Sequence, residues 1–79
     1  MVNINKLKGK IVENGLTVEA LAEKLGVDRS TLYRKLNAEG ETFTIKDANM
    51  ICKALELNIQ EATAIFFSQY VDKAGGNYV

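Results

Sequence analysis

The stretch TVEALAEKLGVDRSTLYRKL, Thr17 to Leu36, constrains the fold of this chain more than any other. Two helical patterns meet there across Gly26, Val27 and Asp28. Thr17 suits the N-cap of the first helix, because its hydroxyl can accept one of the backbone N–H groups that a helix start leaves unpaired. Val18, Leu21, Ala22 and Leu25 recur at helical spacing and form its inner face. Gly26 ends it, since a residue without a Cβ enters positive φ freely and permits a tight change of direction. Asp28 caps the second helix and sets a negative side chain at its positive dipole end. Leu32 and Leu36, four apart, face inward. The small side chain of Ala22 lets the two helices cross closely, Leu32 seats the second helix, and Val27 is expected to plug the turn.

The remaining sequence repeats the theme. Ile4, Leu7 and Ile11 make one stripe with lysines opposite, and Gly15 follows as a stop. Asn37–Phe43 reads as a polar loop with Gly40 as pivot and Phe43 as its large apolar residue. Thr44 with Asp47 starts a fourth helix with Ile45, Ala48, Ile51, Cys52 and Leu55 inward. Asn58 with Glu61 starts a fifth, with Ile59, Ala62, Ile65, Phe66 and Tyr70 inward. Five short helices without a convincing strand predict an all-α, compact five-helix bundle over residues 1–72. Residues 73–79, with Gly75-Gly76, carry no pattern and are expected to form a flexible tail.

Composition removes most other classes. A chain of 79 residues holds one domain. Cys52 is the lone cysteine and histidine is absent, so neither a disulfide framework nor a structural zinc site is expected, and a reducing, cytoplasmic compartment fits. MVNINKLKGK has no apolar run after its lysines, which argues against a signal peptide, and nothing is long and apolar enough to span a membrane. Cys52 lies on an inward stripe with no basic residue on that stripe, as a small hydrophobe rather than a nucleophile. The carboxylates sit at helix starts and on outer faces, where capping explains them. The expectation is a protein without catalytic residues, metal, cofactor or small-molecule substrate. Ten basic residues balance ten acidic ones. Lys6, Lys8 and Lys10 cluster, as do Arg29, Arg34 and Lys35, while the acids fall mostly elsewhere, so a neutral total can hide a polarised surface.

With the inner positions fixed, the second helix of the motif turns Arg29, Ser30, Tyr33 and Arg34 outward, with Thr31 at its flank. Arginine can bond a guanine edge through two parallel donors, Ser30 and Thr31 can bond bases or phosphates, and Tyr33 can meet a thymine methyl or donate to a phosphate. Lys35, Asn37 and Lys46 flank this helix as candidates for backbone contacts. Solvated arginines on an ordinary helical hairpin are the plain alternative.

LTVEALAEKLGVDRSTLYRKLN resembles the XRE/Cro–repressor helix-turn-helix family. Together with IKDANMICKALEL and EATAIFFSQYV, it is similar to small phage or prophage Cro-type repressors over most of the chain. The resemblance implies a lambda-repressor-like DNA-binding fold, usually dimeric on a near-palindromic operator in double-stranded DNA. By position it implies Arg29, Ser30, Tyr33 and Arg34 facing bases, with Thr17 and Asn37 near the backbone. Val18 stands where such proteins commonly carry a glutamine that reaches DNA, so one polar contact is missing.

Ile65-Phe66-Phe67 cannot all face one core, because neighbours on a helix differ by ~100°. Phe66 suits the interior, while Phe67 and Val71 point elsewhere. Either the bundle wraps around them, or Phe67, Tyr70 and Val71 form a homodimer contact. Two functions stay open: a transcriptional regulator that occupies an operator, and a protein-interaction module on the same scaffold, an anti-repressor or antitoxin-like partner with weak or no DNA binding.

Overall fold

The computed structural model describes residues 2–38 and 42–68. They form five α-helices and no strand: α1 (Ile4–Glu13), α2 (Val18–Leu25), α3 (Arg29–Asn37), α4 (Ile45–Ala54) and α5 (Ile59–Phe66). The all-α, five-helix expectation therefore holds. The stretch 69–79, which includes Tyr70, Val71 and the expected tail, and the loop pivot Gly40 lie outside the described residues.

Each helix starts where a short polar side chain precedes an apolar stripe. Asn3, Thr17, Asp28, Thr44 and Asn58 cap the five helices in order, each accepting a backbone N–H from the first turn. Thr44 with Asp47 and Asn58 with Glu61 complete reciprocal capping boxes, which satisfy two otherwise unpaired donors at each start. The cap at Asn3 has no counterpart in the expectations above.

Three of the four connections share one backbone turn. Gly15, Gly26 and Glu56 all have positive φ, at 71°, 71° and 53°. In each case the next residue donates its N–H five positions back: Leu16 to Ile11, Val27 to Ala22 and Leu57 to Cys52, at 2.9–3.0 Å. This closes the last helical turn on itself and occupies carbonyls left open at the helix end. The third residue of each turn is the next helix's cap, Thr17, Asp28 or Asn58. The connection from α3 to α4 includes residues 39–41, which lie outside the described residues.

Leu7, Ile11, Leu21, Ala22, Leu32, Leu36, Ile51, Leu55, Ile65 and Phe66 make a single core fed by all five helices. Phe43 closes it from the loop side, edge-on to Phe66 with ring centroids 6.4 Å apart. Two inward assignments are corrected. Ile45 and Ile59 are 86% and 84% exposed. Each is the first residue of its helix, and helical side chains lean toward the N-terminus, so both project past the helix start and beyond their neighbours. The buried stripes begin one turn later. Val27 is likewise 36% exposed and only borders a small cavity of about 20 Å³ with Leu25, Leu32 and Phe43, so it lines the turn without filling it.

Candidate nucleic-acid interface

The turn at Gly26 sets α3 against α2, with Ala22 (1% exposed) at the crossing and Leu32 (2% exposed) seated beneath. Burying Leu32 and Leu36 fixes the rotation of α3 about its axis. Its outer face then holds Arg29, Ser30, Tyr33 and Arg34, all exposed, with Thr31 half-buried at the flank. Asp28 Oδ1 accepts from the Ser30 N–H at 3.4 Å, which leaves the Ser30 side chain outside the cap. Thr17, at the start of α2, accepts from the Ala20 N–H at 3.1 Å and is exposed.

The cations of the domain divide into two groups. Lys10 pairs with Glu13 at 3.1 Å and also with Glu61, tying α1 to α5, and these hydrogen bonds raise the Lys10 pKa and lower that of Glu61. Lys35 pairs with Asp47 at 2.6 Å, with its ammonium 5.9 Å from the centre of the Phe43 ring, and so ties α3 to α4. Partial burial works against the Asp47 charge, but hydrogen bonds from Lys35 and Thr44 outweigh it and hold the carboxyl below its ordinary range. Arg29 and Arg34, like the exposed Lys6, Lys8, Lys24, Lys46 and Lys53, have no ion pair with another described residue. Their guanidiniums project from α3 with their donors uncommitted.

One contact on this surface was not visible in the sequence pattern. The Tyr33 hydroxyl donates to Glu19 Oε2 at 2.6 Å, from α3 back to α2. The bond lowers the Glu19 pKa and raises that of Tyr33. Glu19 therefore stands beside the arginine cluster and not apart from it. Only the crossing of the two helices, fourteen positions apart in sequence, brings the pair together. Asn37 is exposed at the end of α3, next to Asn3, Asn5 and Lys8 of the first segment, and Lys46 is exposed in the first turn of α4. The nine expected DNA-contact residues are thus not one patch. Arg29, Ser30, Tyr33 and Arg34 share a face, Thr17 stands at a neighbouring helix start, Thr31 and Lys35 border the interior, and Lys46 belongs to another helix.

The model of the Cro/C1-type HTH DNA-binding domain matches residues 6–65, well over half of the chain. The chain belongs to that family. Comparison with curated proteins and with solved structures finds no match. The Cro/C1-type match covers most of α1 through most of α5 and so includes the whole of the helix-turn-helix pair, α2 and α3. It agrees with the surface just described, in which the second of these helices is the polar one.

Along α4 and the end of α5 the Cro/C1-type domain has a different character. Phe67, half-exposed, borders a groove of about 330 Å³ with Ile45, Cys52 and Phe66. Partial burial pushes the Cys52 thiol up, away from the reactive thiolate. Among the described residues no helix is long and apolar enough to cross a membrane, and no group of three or more metal-ligating side chains occurs.

Proposed function

We propose that the chain is a sequence-specific transcriptional regulator, a phage or prophage Cro-type repressor that acts in the cytoplasm without a cofactor. α3 enters the major groove of an operator, with Arg29, Ser30, Tyr33 and Arg34 toward the bases. Thr17, Thr31, Asn37 and Lys46 lie toward the sugar–phosphate backbone, and Lys35 joins them by exchanging part of its pairing with Asp47. The carrying observation is the pair of exposed, uncommitted guanidiniums on a rotationally fixed helix; the partly buried cations, Lys10 and Lys35, are already paired. Each bidentate contact to guanine contributes roughly 1–3 kcal/mol of discrimination. Two such helices, about one DNA turn or 34–36 Å apart, would read a palindromic site, and the reading supplies them through a homodimer at Phe67, Tyr70 and Val71.

The test is an anisotropy titration with DNA upstream of the chain's own gene, at two salt concentrations. Saturable binding is expected, weakened in Arg29→Ala and Arg34→Ala, with log affinity falling by about 0.9 per phosphate contact for each decade of salt. Exposure of Ile45 and Phe67 beside an apolar groove favours the second reading, an interaction module of the anti-repressor or antitoxin type. Absence of binding at micromolar protein and low salt would select it. Sedimentation of Phe67→Asp examines the dimer: a shift to monomer is expected, and an unchanged oligomeric state would remove this contact.

A further inference from the structure

We infer that Glu19 and Tyr33 act together as a hydrogen-bond-accepting element of the reading face, selecting a base with an exocyclic amino group, cytosine or adenine, in the major groove. The inference rests on the proposed DNA-reading role of α3. Its basis is proton accounting. A phenol has one donor, and that of Tyr33 is given to Glu19 Oε2 at 2.6 Å. What Tyr33 can offer outward is then a lone pair, and the carboxylate beside it also only accepts.

Glu19 is well held in this role. Its carboxylate takes a hydrogen bond from Tyr33, with its own backbone N–H and the Thr17 hydroxyl nearby, and lies within the field of Arg29. All of these favour the ionised form, and Tyr33 correspondingly keeps its proton more firmly than a free phenol. A fixed anion in the first turn of α2 also benefits from the helix dipole.

Chemistry then decides what this pair can meet. Phosphate oxygens, guanine O6 and N7, and thymine O4 are all acceptors, so each faces the pair with unmatched lone pairs. Cytosine N4 and adenine N6 carry the major-groove donors, and a carboxylate accepting from cytosine N4 is a recurrent pairing. Tyr33 therefore does not donate to a phosphate, as its sequence position alone allows. Arg29 beside the pair supplies the opposite preference, for guanine acceptors. The face carries neighbouring donor and acceptor elements in place of one uniformly basic surface, which accords with a chain of zero net charge.

The experiment is selection of bound DNA from a random pool by the wild type, Glu19→Gln, Tyr33→Phe and the double variant, followed by titration of the wild-type consensus and of the same site with one amine deleted. Purine replaces adenine, or an amine-free pyrimidinone replaces cytosine, and this identifies which base is read. A wild-type preference of about tenfold for the amine is expected. It should fall to about twofold or less in each single variant and no further in the double, since the two side chains form one element. Both residues are exposed, so melting temperatures should stay within about 5 °C of the wild type. A consensus unchanged in Glu19→Gln would overturn the inference and leave the DNA-reading function intact. A wild-type pool without any consensus would overturn that function and the inference with it.

Discussion

Two helix pairs in this molecule are joined in the same way, α2 to α3 through Gly26-Val27-Asp28 and α4 to α5 through Glu56-Leu57-Asn58. Both turns open with a left-handed residue, close with an N–H···O bond to the carbonyl five positions back, and end on a helix cap. The outer faces differ. α3 shows solvent two arginines, a serine and a tyrosine, whereas α5 and its end expose Ile59, Gln60 and Phe67. Backbone geometry alone therefore does not make a nucleic-acid-binding motif. The side chains left outside after the core is packed decide which pair can meet a polyanion.

The largest effects test whether the two pairs share one core. Leu32→Ala and Ile65→Ala should each cost about 2–5 kcal/mol, because each removes a side chain at most 2% exposed. Urea melts followed by circular dichroism should stay single-step in both variants. A two-step melt would make the pairs separate units.

Next comes the difference between the outer faces. Arg29→Ala and Arg34→Ala should each weaken specific DNA binding by about 1–3 kcal/mol, while Gln60→Ala on α5 should change nothing measurable by anisotropy. A comparable loss in Gln60→Ala would erase the distinction.

The turns themselves differ at their first residue. Gly26→Ala should destabilise by about 1–2 kcal/mol from backbone strain alone, since a Cβ there would meet nothing within 4 Å. Glu56→Gly should do the reverse. Relief of the left-handed strain outweighs the added chain entropy, and a gain of roughly half a kcal/mol is expected in thermal melts.

The smallest effect concerns pH. Asp47 titrates below its ordinary range when folded, so its contribution is present above the unfolded pKa and is lost as pH falls through the folded value. Asp47→Asn should lower stability near neutrality by about 1 kcal/mol or less and flatten the acid side of the stability profile.

The sequence made the helices legible because their signals are local. Thr17, Asp28, Thr44 and Asn58 cap as their positions predict, Gly26 takes positive φ, and Leu32 and Leu36 are buried. Periodicity misled at Ile45 and Ile59, since a repeat of 3.6 residues does not reveal where a partner helix ends. The turn at Glu56 was hidden because glutamate gives no sign of positive φ. The outward residues of α3 followed from its buried ones. Their partners did not: Tyr33 with Glu19 and Lys35 with Asp47 bond between helices, and the angle between two helices is a property of the packed core.

The central claim is that α3 reads base edges in the major groove, and methylation interference on the selected operator tests it most directly. Methyl groups at guanine N7 lie in the major groove, where the arginines would bond. The expected result is that N7 methylation at one or two guanines per half-site blocks binding, and that Arg29→Ala or Arg34→Ala abolishes one of these signals. Interference confined to adenine N3 in the minor groove, or the same pattern in both arginine variants, would contradict it.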